Sequence, residues 1–291
     1  MNPPAAVLLF LMMTCTYALS ATVSAPALLW TGLQGNYDFV DDQPSGLADM
    51  NIVGAGLNSG LFVTHNDNGP LSLTDGTFGF RLRLDAPGGN KNNPKYERAA
   101  YIGIDADFND TIDVFIGVNF SGSKQELGIY APGSGLNNSP DNTSVGALVK
   151  SYTVNSSTYS YRAVNYLTDG GTTNDLNPAN GQNDYYLTVM VNFADIVSYL
   201  SEKGILITDQ SPLRFVAMTS NNGNNLNADI AGISGSANAA NTWSQTGAFT
   251  QAVNANGIAV SGATITIPEI RSAMMLQVGA LLLLLRRNRD R

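Results

Sequence analysis

Five acidic or amide side chains crowd into one short stretch: Asp105, Asp107, Asn109, Asp110 and Asp113. The Asp-x-Asp-x-Asn spacing sends alternate side-chain oxygens toward one point, as a calcium loop does to surround a hard cation with hard ligands. Two positions depart from that loop. Its sixth holds Asp110 where a glycine makes the sharp turn, and its twelfth holds Ile116 where a glutamate binds through both oxygens. Asp and Asn also favour plain turns, because their short side chains bond the backbone two residues on. The segment is therefore either a calcium site of Asp105, Asp107, Asn109 and Asp113, structural in role, or an ordinary hairpin turn.

Other chemistry is thinner. His65 is the single histidine. It cannot build a three-ligand zinc site alone, and no nucleophile motif accompanies it as a triad base. Glycoside hydrolysis needs two carboxylates at a set separation. Glu97, Glu126 and Glu202 are available, but sequence spacing cannot show which acids meet, and no catalysis is expected. Trp30 and Trp243, with Tyr159, Tyr161, Tyr185 and Tyr186, could stack on sugar rings. The same tyrosines could instead pack across strands. Carbohydrate binding through Trp30 and Trp243 is the expectation that follows from the first alternative.

The elements that must position these groups read mostly as strands. Residues 77–84 alternate, with Phe78, Phe80, Leu82 and Leu84 on one face and Arg81 and Arg83 on the other, the pattern of a half-buried strand. Residues 99–105 and 111–118 read as a hairpin closed by the acidic loop. Short strands are expected at 61–64, 128–130, 152–166, 185–191 and 213–219, separated by Gly/Asn-rich loops. Phe193, Ile196, Val197 and Leu200 have helical spacing, with Asn192 as N-cap and Gly204 as stop. The stretch after Gly232 is low in complexity and reads as a linker. Ile258 to Ile267 reads as a last strand or a stalk. The fold class expected is mainly β: a single β-sandwich, jelly-roll-like, with one short helix. No repeat period is present.

Both ends differ from this body. Residues 5–13 are apolar, and Ala18, Ser20 and Ala21 are small, which reads as a secretory signal peptide over 1–21. Cys15 is the only cysteine and falls inside it, so the exported chain would have no disulfide. At the other end, residues 272–285 are apolar and finish in five leucines, followed by Arg286, Arg287, Arg289 and Arg291. As a helix this run reaches ~21 Å, short of the ~30 Å hydrocarbon core. Arg271 and Arg286 can snorkel to close the gap. The run is hydrophobic on every face, so it reads as a transmembrane helix with a basic cytoplasmic end. Between Ala21 and Glu269 there are 22 acidic and 10 basic residues, a net charge of −12. That balance argues against nucleic acid as a partner and leaves carboxylates for divalent cations.

Pro268 and Glu269, the apolar run and the basic cluster together make the tail resemble the PEP-CTERM sorting signals of Gram-negative bacteria. Ile270 stands where that family usually has a second proline. A related variant, Val-Pro-Glu-Ile-Asp, is partly matched by Ile267 to Ile270, with Arg271 in place of the acid. The resemblance implies recognition of Pro268 and Glu269 by a membrane-embedded exosortase. It also implies a precursor held in the inner membrane, with Arg286 and Arg287 as the stop, and release to the cell surface, biofilm matrix or medium. The body, best defined over 70–235, is similar to uncharacterised exported bacterial sandwich domains through residues 74–81, 101–107, 112–115 and 214–220. That similarity implies no activity. The chain thus divides into a signal peptide (1–21), an exported sandwich domain (22–262) and a sorting tail (263–291). Its expected partners are the secretion machinery, an exosortase and an extracellular polysaccharide.

Overall fold

The computed structural model describes residues 29–33, 38–43, 46–67, 72–90, 92–226, 228–233 and 240–260. The segments read as a signal peptide (1–21) and a sorting tail (263–291), with Pro268, Glu269, Arg286 and Arg287, lie outside the described residues. Among the described residues no helix is long and apolar enough to cross a membrane. The run 272–285 is not among them.

Two antiparallel sheets carry the fold. The first is ordered β1 (Thr31–Gly32), β2 (Leu61–Asn66), β3 (Thr77–Leu84), β11 (Tyr185–Asn192) and β10 (Tyr159–Ala163). The second is ordered β13 (Asp229–Ile230), β12 (Arg214–Ser220), β6 (Ala99–Asp105), β7 (Val114–Asn119), β8 (Glu126–Pro132) and β9 (Val145–Ser151). A two-stranded ladder, β4 (Gly89–Asn90) with β5 (Asn93–Pro94), projects from the crossing between them. The chain crosses from the first sheet to the second between β3 and β6, returns between β9 and β10, and crosses to the second again between β11 and β12. Accordingly β3 pairs with β11 and β12 with β6.

The period-2 alternation explains why the sheets face each other. Phe78, Phe80, Leu82 and Leu84 point inward with Leu187, Val189 and Val191. Ile102, Ile104, Val114, Ile116, Phe215 and Ala217 meet them from the second sheet. Phe78 and Phe215 stack across the gap with centroids 5.9 Å apart. Helix α2 (Phe193–Glu202) follows β11 directly and buries Phe193, Ile196 and Leu200 in the same core. Its N-cap is Asn192, but that side chain makes no cap bond. Gly204, just past the helix end, takes φ +83°, the left-handed geometry that favours glycine.

Several expectations change. The outer face of β3 is not solvated: Arg83 is fully buried, because the loop before β11 covers it and Asp184 pairs with it at 2.6 Å. The strand expected over 152–166 shrinks to β10 and gives way to a four-residue helix, α1 (Tyr166–Asp169), capped by the Asn165 side chain. Strand β9 lies outside the expected strands, because its mostly exposed side chains carry no core-facing pattern. A third helix, α3 (Trp243–Thr246), lies beyond the linker-like stretch. It helps cover the far face of the second sheet, where Tyr101, Phe115, Val216, Met218 and Trp243 form a separate apolar cluster. The central strands of the second sheet, β12, β6 and β7, are therefore buried on both faces.

Candidate functional site

The acidic loop connects β6 to β7, as the hairpin reading requires, and it is built from side-chain-to-backbone bonds. Asp105 Oδ1 accepts from the Phe108 amide at 2.7 Å, and Asp107 Oδ1 accepts from the Asn109 amide at 3.2 Å. Asn109 Oδ1 accepts from the Thr111 amide at 2.8 Å, and Asp113 Oδ2 from the Ala106 amide at 2.7 Å. Asp110, at the position a calcium loop gives to glycine, nevertheless takes φ +67°, a conformation that Asp tolerates better than most residues.

The loop brings oxygens of Asp105, Asp107 and Asp113 within 4.8 Å of one another. Asn109 differs from the other three: it is exposed and bonds Asp107 and Thr111. The positive charge nearest this cluster is internal. Arg214, the first residue of β12, bonds Asp105 Oδ2, and also Asp110 Oδ1 at 2.7 Å. Its guanidinium lies 4.8 Å from the Phe108 ring centre and 4.7 Å from that of Phe249. Burial raises the Asp105 carboxyl, opposed by Arg214. Burial, with the charges of Asp107 and Asp105, pushes Asp113 up to about 7. A bond from Ser244, reinforced by Arg214, holds Asp110 low. The three converging carboxylates fit a hard cation such as calcium. The guanidinium and the turn bonds also close the loop by themselves.

The aromatic candidates separate. Trp243 is fully buried, and its indole N–H donates to the Asn137 carbonyl at 3.1 Å. Its ring faces belong to the apolar layer, which removes it as a sugar-stacking platform. Trp30 is half-buried, with the Arg81 guanidinium 4.2 Å from its ring centre. Arg81 also lies 4.9 Å from the Tyr186 ring, so one face of Trp30 is taken by a cation–π stack. Burial lowers Arg81 to about 10.

Tyr159 and Tyr161, by contrast, line an open cleft of about 550 Å³. Tyr96 and Phe120 form part of its wall, and Lys95, Glu97 and Gln125 provide polar groups. Phe120 meets Tyr159 edge-on at 5.2 Å, and Tyr185 lies against Tyr161 at 5.0 Å. The Tyr161 hydroxyl accepts from the Gly88 amide at 2.7 Å and donates to the Ala86 carbonyl, which fixes its ring.

His65 bonds the Asp75 carbonyl at 2.9 Å and packs edge-on against Phe193, a structural place in the core rim. Glu126 bonds Asn119 and pairs with Lys124, while Glu202 lies beside Lys150 and Asp195 in a smaller depression. Arg214, Tyr96 and Phe120 escaped the sequence reading. Alternation placed Arg214 on a strand but could not say which acid it would meet across the sheet. Searches against protein-family models, curated proteins and solved structures found no match to this chain.

Proposed function

We propose that this chain is an exported, non-catalytic surface or matrix protein, made as a membrane-held precursor and sorted through its C-terminal tail by an exosortase. The observation that carries this proposal is the tail itself: Pro268-Glu269, then an apolar run, then an arginine cluster. The proposal includes the transmembrane helix over 272–285 and a jelly-roll-like classification of the sandwich. Two features of the body support a structural role. Two of the buried acids are committed to internal partners, Asp184 to Arg83 and Asp105 to Arg214. Among the residues lining the aromatic cleft, Glu97 is the single carboxylate, where glycoside hydrolysis requires two. The test is intact mass and fractionation in the native host, wild type against Pro268→Ala/Glu269→Ala. Loss of the C-terminus near residue 268 in the wild type, with the variant full length in the inner membrane, is the expected result. An arginine tail retained by both would reduce the segment to an ordinary anchor.

The aromatic cleft favours a second reading, a polysaccharide-binding module with calcium on Asp105, Asp107 and Asp113 as its stabilising ion. Fixed tyrosine rings beside polar side chains suit a sugar face and its hydroxyls. Tyr159→Ala and Gln125→Ala should each weaken retention on a polysaccharide affinity gel at least several-fold. Retention unchanged in both would remove the cleft from consideration.

A further inference from the structure

Away from the loop and the cleft, three aspartates from distant parts of the chain converge. Asp38 and Asp42 precede β2, Asp229 lies on β13, and one oxygen of each falls within 4.8 Å of the others. Asp38 is 5% exposed and Asp229 1%. Backbone amides satisfy part of this group. Gly232 N–H donates to Asp38 Oδ1 at 3.1 Å, and Ile52 and Ile230 N–H donate to the two oxygens of Asp229 at 2.6 and 2.8 Å. Asp38 Oδ2 is buried in the same cluster and has no hydrogen-bond partner.

The contrast with the other buried acids is informative. Asp184 has Arg83 and Asp105 has Arg214. No ion pair among the described residues engages Asp38 or Asp229. The charges acting on Asp38 are those of Asp229 and Asp42, both acidic. Buried like charges with an orphaned oxygen persist only if protons or a cation neutralise them. Burial and mutual repulsion raise Asp38 well above the carboxylate range, and burial lifts Asp229 to about 8.

We propose that Asp38, Asp42 and Asp229 form a calcium site that clamps the N-terminal arm to the edge of the second sheet. An all-oxygen carboxylate set selects a hard cation, and calcium accepts irregular ligand placement where magnesium demands a near-ideal octahedron. The position gives the ion a structural task. Asp38 forms a bridge with Gly54, Ile52 bridges Leu84 of β3, and Asp229 pairs with Thr219 of β12. The ion thus joins an arm docked on the first sheet to the edge strand of the second, independently of how the tail is processed.

The experiment uses the full-length protein, stripped with EDTA and titrated with calcium chloride in detergent, with thermal unfolding and proton release followed together. Wild type should gain several degrees at millimolar calcium and release protons on binding, since ligation displaces them from carboxyls. Asp38→Asn should weaken calcium binding at least tenfold while raising stability in EDTA, because it removes a repelling charge. Asp42→Asn, at a half-buried position, provides the same affinity test should Asp38→Asn fold poorly. The double variant Asp107→Asn/Asp113→Asn should keep the response. The proposal is overturned if calcium leaves wild type unmoved, if Asp38→Asn and Asp42→Asn keep wild-type affinity, or if the loop variant alone abolishes the effect.

Discussion

Asp113 shows how a single carboxyl can set the pH response of the acidic loop. Burial, with Asp107 and Asp105 nearby, raises it to about 7 in the folded protein, against an ordinary value near 4 in the unfolded chain. Between those limits the native state holds a proton that the unfolded chain has released. In chelator, its stabilising contribution is complete below about pH 4 and is lost as pH rises through about 7. Asp113→Asn keeps an oxygen for the Ala106 amide and cannot ionise. Chemical denaturation of this variant should lose that slope and gain about 1–3 kcal/mol over wild type at pH 8. An unchanged slope would mean that Asp113 is ionised throughout.

Among the elements, those with unambiguous periodicity were legible. Strand β3 and helix α2 fall where apolar spacing of 2 or 3.6 puts them, while the β6–β7 hairpin, β11 and β12 are legible as short, nearly continuous apolar runs bounded by turn residues, buried on both faces. Two elements escaped for different reasons. Strand β9 is an edge strand held by backbone bonds to β8, and its exposed side chains carry no signature. Helix α3 is one turn long, made by a capping box between Thr242 and Gln245, too short for any period to show. No local pattern therefore marks its tryptophan, Trp243, as buried. Trp243→Ala should cost about 3–5 kcal/mol, the range for deleting a large buried aromatic, and should leave retention on a polysaccharide gel unchanged once the folded fraction is matched. Denaturant titration checks the first and the gel assay the second.

For the molecule as a whole, composition and the alternating pattern were enough to anticipate a mainly β body of antiparallel sheets. The sites were less legible. The 105–113 loop is contiguous, so its acids could be picked out by eye, whereas Arg214 lies 109 residues from Asp105. Asp38 and Asp229 are farther apart still and carry no local motif. Their meeting is a product of sheet topology alone. One last feature bears on mechanics. Thr31, Gly32 and Leu33 border the same shallow depression as Val253, Gly257 and Ala259. Gly257 lies so close to Thr31 that an added Cβ would stand 2.7 Å from the Thr31 side chain. The body's first and last described segments therefore share one corner. Tension drawn between its two flanks would therefore load the Thr31–Gly257 contact before it reaches the core.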